Sequence, residues 1–271
     1  MKTPASRTGL MLILTVIGGL TGSQVHAQDA ARTAAAPARL SQGEQQIAAS
    51  SKAGHFSFIL FYRTNDRLTQ TAYQTLKAES GKRKNMAILP VRLDNTAERG
   101  LIERFDATRA PMPAIVALAP NGAVTGVFSQ QIKPEEVAGA FASPGYAQCI
   151  KAMQDNRIVL LCVQPESRAF VPQGVQQFQA DRLYRDRTQL VSIRAADPAE
   201  AGFIKQLRLK SDATTPQVVF MAPPGVLLGT FNASVTHAML NDTLVKAGKC
   251  CDDKNCKHHR TATGTTSTQR R

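Results

Sequence analysis

The chain has 271 residues, 43% of them hydrophobic and 20% charged, with a formal net charge of +13. After an amino-terminal export segment, that length leaves room for two domains of ordinary size, each able to bury a core. The positive charge is spread thinly, with no aromatic-basic motif or recognition helix beside it, which argues against a nucleic-acid site and leaves an acidic envelope component or other anionic partner.

Residues 1–27 read as a signal peptide: Lys2 and Arg7, an apolar run from Leu10 to Leu20, then Val25-His26-Ala27, with cleavage expected after Ala27. The run is short for a membrane span and no later uncharged stretch of that length follows, so a secreted or periplasmic soluble protein is favoured over an uncleaved anchor. Residues 28–40 are alanine-rich and contain Pro37, as in a flexible lead-in.

From there the pattern predicts an alternation of helices and strands. A helix over Ser41 to Lys52 precedes a buried strand, His55 to Tyr62. Asp66 to Lys82 reads as a helix with Leu68, Ala72 and Leu76 inward, and Asp66 is placed to cap it. Met86 to Leu93 is the next strand and Ala97 to Phe105 a crossover helix. Ala114 to Ala119 and Val124 to Phe128 form a hairpin across Pro120-Asn121-Gly122, and Pro134 to Phe141 closes the unit. The order then repeats: a helix from about Gly145, strand Arg157 to Gln164, helix Val175 to Leu183, strand Gln189 to Arg194 and helix Ala199 to Leu207. A hairpin at Pro224-Gly225 and a helix over Ser234 to Lys246 complete it.

Pro113, Gly122, Gly126 and Phe128 match Pro216, Gly225, Gly229 and Phe231 at a constant offset of 103 residues, and Arg92 stands opposite Arg194 one residue closer. An internal duplication is expected, with domains at 41–143 and 144–248 and a polar tail at 249–271. Such an order suits an α/β fold, each copy a central mixed sheet flanked by helices.

The strand Phe56-Ser57-Phe58-Ile59-Leu60-Phe61-Tyr62, the segment Val91-Arg92-Leu93-Asp94, the helix Leu101 to Phe105 and Ala110-Pro111-Met112-Pro113 resemble the thioredoxin-like superfamily. The resemblance covers residues 44 to 143 well and 150 to 248 more loosely. It implies cis bonds at Met112-Pro113 and Thr215-Pro216. It also implies that the backbone at Met112, Pro113, Thr215 and Pro216 aligns an extended polypeptide.

The family's chemistry is missing. Dithiol exchange needs an attacking thiolate and a resolving thiol, whereas the loop Arg63-Thr64-Asn65-Asp66-Arg67-Leu68-Thr69 contains no sulfur. Cys162 lies inside an apolar strand, where burial suppresses its nucleophilicity; it is read as a core thiol or as a disulfide partner of Cys149. His55 and His237 have no acid or nucleophile at a motif spacing and are read as structural or surface residues. Phosphate-loop, Gly-x-Ser-x-Gly and His-Glu-x-x-His motifs do not occur.

The tail concentrates ligands: Cys250, Cys251, Cys256, His258 and His259 lie within ten residues. They suit a Zn(II) or Cu(I) site, a disulfide staple, or a thiol-bearing end, with the staple favoured because adjacent Cys250-Cys251 are awkward in one compact metal site. The sequence therefore favours an exported, non-catalytic thioredoxin-like binding or structural module, against a redox protein or a metal-handling protein built on the tail.

Overall fold

A computed structural model describes residues 40–165, 170–209 and 215–249. The expected signal peptide, the lead-in up to residue 39 and the ligand-rich tail from Cys250 onward lie outside the described residues.

Local chemistry sets the first elements. Ser41 caps helix α1 (Gln42–Lys52) through a capping box: its hydroxyl accepts from the Glu44 amide, and the Glu44 carboxylate accepts from the Ser41 amide. Strand β1 (Phe56–Tyr62) is apolar on both faces and buried almost throughout. Asp66 caps α2 (Arg67–Lys82) by accepting from the Thr69 amide. Strand β2 (Met86–Arg92), helix α3 (Arg99–Arg104), the hairpin β3 (Ala114–Leu118) and β4 (Val124–Ser129), and helix α4 (Pro134–Gly139) follow. Gly122 turns the hairpin at φ +80°, a conformation that glycine adopts without a Cβ clash.

The sheet order is β2-β1-β3-β4, with β2 parallel to β1 and the other pairs antiparallel. Because β1 is central, its alternating side chains feed two cores. Phe56, Phe58 and Leu60 meet Ala72 and Leu76 of α2 on one face, while Ile59 and Phe61 meet Val91, Leu101 and Ile102 on the other.

The second half repeats this plan with α5 (Pro144–Gln154), β5 (Ile158–Gln164), α6 (Gln173–Ala180), β6 (Thr188–Arg194), α7 (Ala201–Gln206), β7 (Gln217–Ala222), β8 (Val226–Asn232) and α8 (His237–Lys249). The sheet order is β6-β5-β7-β8 with the same pairing senses. Even the bulge recurs, between Ala117 and Leu118 in one hairpin and between Phe220 and Met221 in the other.

Two local expectations change. Leu68 does not turn inward with Ala72 and Leu76 but is 42% exposed. In the first turn of α2 Thr69 is the buried position, and Leu68 instead lines a cleft with the loop after β4. In the second copy the helix spans Gln173–Ala180 and stops short of Leu183, because Asp181 leaves the helix in an extended conformation.

Candidate functional site

The loop between β1 and α2 is occupied by its own hydrogen bonds. Thr64 Oγ1 donates to Asp66 Oδ2 (3.1 Å), Thr69 Oγ1 donates to Thr64 O (2.9 Å), and Gln70 Nε2 donates to Asn65 O (3.1 Å). Arg63 reaches across to Thr108 O at 2.9 Å. The Thr69 amide holds the Asp66 carboxyl below its ordinary value, aided by the hydroxyls of Thr69 and Thr64. These groups cap a helix and order a loop, and none of them carries a thiol.

Beside this loop the Met112-Pro113 bond is cis, as expected from the resemblance. Pro113 is buried, and its carbonyl accepts from the Gln130 amide at 2.7 Å. The Met112 N–H and C=O make no hydrogen bond among the described residues. Gln130 in turn stands in the wall of a cleft of about 470 Å³, lined by Arg67, Leu68, Thr71 and Ala72 on one side and Gln130, Gln131, Ile132 and Lys133 on the other. Exposed Leu68 and buried Ile132 give the cleft an apolar strip, and Arg67 and Lys133 give it positive charge.

The second copy does not reproduce the site. Among the described residues the other cis bond is Pro223-Pro224, in the hairpin turn, and Thr215-Pro216 is not cis. Trans is the default for an X-Pro bond. Thr215 is exposed and Pro216 half-buried, whereas Pro113 is enclosed in its core.

Of the two readings of Cys162, the structure gives the core thiol and not the disulfide with Cys149: both are free, fully buried thiols. Cys149 packs with Val159, Leu161 and Val163, while Cys162 packs with Ile158 and Leu160. Alternation along β5 thus sends the two sulfurs to opposite faces of one sheet. Burial, with the nearby Glu200 carboxylate, pushes the Cys149 thiol up to about 12, and burial pushes Cys162 up to about 11. Neither supplies a thiolate near neutral pH.

His237 has a partner that its sequence neighbourhood conceals. Its Nε2 lies 2.9 Å from Asp181 Oδ2, joining the end of α6 to the start of α8, beside the Phe178 ring. The Leu183 amide first, and His237 next, hold the Asp181 carboxyl below its ordinary value. With no nucleophile bonded to the imidazole among the described residues, the pair acts as a clasp between helices.

A further pair of carboxylates is repeated. Buried Glu98 accepts from Ser41 Oγ (2.6 Å) and from the Gly43 amide (2.9 Å), and buried Glu200 accepts from Ser143 Oγ and from the Gly145 amide (2.7 Å). Each carboxylate ties the start of a copy's first helix to the crossover after its parallel strand. The signal was present in the sequence as Ser-x-Gly followed 55 residues later by glutamate, twice.

Among the described residues no three His, Cys, Asp or Glu side chains gather as a metal site, and no helix is long and apolar enough to cross a membrane.

The paired sheets define the class: an α/β chain with two four-stranded mixed sheets in tandem, each flanked by helices, which is the architecture that the thioredoxin-like resemblance implies. No family model matches the chain, and no curated protein matches it. Similar solved structures include the first two thioredoxin domains of Saccharomyces cerevisiae Eps1p, 14% identical over 79% of this chain and 98% of that one, with a TM-score of 0.28. The NTD_N/C domain of the alkylhydroperoxide reductase AhpF from Enterococcus faecalis is 15% identical over 74% and 96%, with a TM-score of 0.27. A Thermus thermophilus thioredoxin is 21% identical over 41% and 92%, with a TM-score of 0.28.

Proposed function

We propose that the protein is an exported, non-catalytic member of the thioredoxin-like superfamily whose first copy binds an extended polypeptide at the cleft between α2 and the 130–133 loop. The carrying observation is the open backbone at Met112, next to Pro113, whose carbonyl is bonded to Gln130 in the cleft wall. An extended chain laid there would find one donor and one acceptor for main-chain pairing and an apolar strip at Leu68 and Ile132 for a side chain. Arg67 and Lys133 favour a segment with acidic residues. The loop without sulfur and the two thiols raised by burial support binding rather than dithiol exchange. Export rests on the charged, apolar and small-residue order of residues 1–27.

The test is fluorescence anisotropy with a carboxymethylated, permanently unfolded model protein as the probe, using the mature chain and Leu68→Asp. Binding that weakens at least tenfold in Leu68→Asp, with an unchanged melting temperature, is expected. Equal binding by both proteins would remove the cleft from the reading, and no binding by either would remove the function.

A further inference from the structure

The two copies differ at a place for which the repeat supplies the missing partner. At the tip of the first hairpin Ala123 is fully buried, in the same cluster as Ala147 of α5. The junction is specific. Ala147 and Ile150 of α5 and Ala142 before it pack against the first core, and Asn121 Nδ2 donates to Ala147 O at 2.8 Å. Gln154 accepts from the Val124 amide at 2.9 Å and donates to the Val124 carbonyl at 2.8 Å, closing the start of an edge strand.

In the second copy the residues equivalent to Ala123 and Val124 are Val226 and Leu227, by the offset of 103 and by strand register. Val226 is 51% and Leu227 50% exposed. In the first copy this position lies beneath the first helix of the next copy. The other first helix in the chain is α1. The shift of 102 that lays Ser41, Gly43 and Glu98 on Ser143, Gly145 and Glu200 matches Ala142, Ala147, Ile150 and Gln154 with Leu40, Gln45, Ala48 and Lys52. That face is open: Leu40 is 56% exposed, Gln45 and Lys52 are exposed, and Ala48 is half-buried.

We propose that the hairpin tip at Val226 and Leu227 of one molecule receives the outer face of α1 from a second molecule, so that chains associate head to tail by repeating the junction between their own two copies. A second copy fits better than the tail, because residues 250–271 are polar, with Ala262 the one aliphatic side chain, whereas α1 offers Leu40 and Ala48. The contact is heterologous and leaves an unused half at each end, so growth does not stop at a dimer. Lys52 can donate to a strand carbonyl but cannot accept from an amide as Gln154 does, which makes the intermolecular junction weaker than the internal one. The association therefore depends on concentration. It uses a surface separate from the Leu68 cleft and does not rest on the polypeptide-binding reading.

The test is sedimentation velocity of the mature chain from about 10 µM to about 1 mM, the range in which small interfaces assemble. The wild-type weight-average mass should rise past that of a dimer. Leu227→Glu and Leu40→Glu should each remain monomeric, with melting temperatures close to wild type. An equimolar mixture of the two should form a one-to-one dimer and go no further, because each variant retains the half that the other has lost. Ala48→Glu gives a second α1 variant should Leu40→Glu fold poorly. A wild-type monomer throughout, association that survives both substitutions, or a mixture of folded variants that fails to pair would overturn the proposal.

Discussion

Replacing Glu98 by alanine removes the acceptor that holds α1 to the crossover of the first copy. The Gly43 amide, buried and 2.9 Å from the carboxylate, loses its partner in a place closed to water. An orphaned buried amide costs about 1–3 kcal/mol. The Ser41 hydroxyl is half-buried and recovers part of its loss from solvent. Removing a negative charge from the amino end of α1 adds roughly 0.3–1 kcal/mol. A total near ~3 kcal/mol is expected for Glu98→Ala. Glu98→Gln should cost only about 1 kcal/mol: its carbonyl can keep the Gly43 amide, and its amino group can donate to a Ser41 oxygen that still has a free lone pair. Urea unfolding gives the totals, and native-state hydrogen exchange at Phe58 and Leu160 separates the copies. Glu98→Ala should lower protection in β1 and leave β5 nearly unchanged, and Glu200→Ala should do the reverse. Equal effects of alanine and glutamine, or a Glu98→Ala loss below about 0.5 kcal/mol, would show that the carboxylate does not hold the helix.

Two further outcomes follow from close packing and burial. Gly174→Ala places a Cβ 2.2 Å from the Val235 carbonyl oxygen, a backbone atom that cannot swing aside, so α6 must move. A loss of about 1–3 kcal/mol is expected, with exchange protection falling in α6 and α8, and a stability within error of wild type would contradict the contact. The Cys149 thiol rises from 9.0 when unfolded to about 12 when folded, so its contribution is complete below pH 9 and is lost as pH climbs toward 12. Urea midpoints at about pH 8 and about pH 10.5 should fall more steeply for wild type than for Cys149→Ala, and identical slopes would count against a buried neutral thiol.

Much of the fold is local and could be read along the chain. Ser41 and Asp66 cap the helices that follow them, Gly122 marks a turn that needs positive φ, and the short, aromatic-rich apolar run Phe56 to Phe61 reads as a buried strand. The duplication was also visible, because Gly122 and Gly225 hold a positive-φ turn in each hairpin and Pro113 and Pro216 keep the same offset. The cis bond at Met112-Pro113 was legible through the resemblance, while the cleft near Gln130 was not. Its walls come from residues 67–72 and 130–133, and whether Leu68 faces a core or solvent depends on where α2 begins relative to the sheet.

Tertiary structure decided the pairings across long separations, two of which the sequence marked only as a repeated spacing. Glu98 finds Gly43 and Glu200 finds Gly145 over 55 residues, and Asp181 finds His237 over 56. Neither charge pattern nor helical period reaches that far. The separation of Cys149 from Cys162 was decided in the same way. Both are apolar-face residues in the sequence, but a strand has two faces, and only the packing of α5 on one of them shows that the sheet stands between the sulfurs. A sequence determines which groups want burial or a partner; which partner each one meets is set by how the sheets and helices close around it.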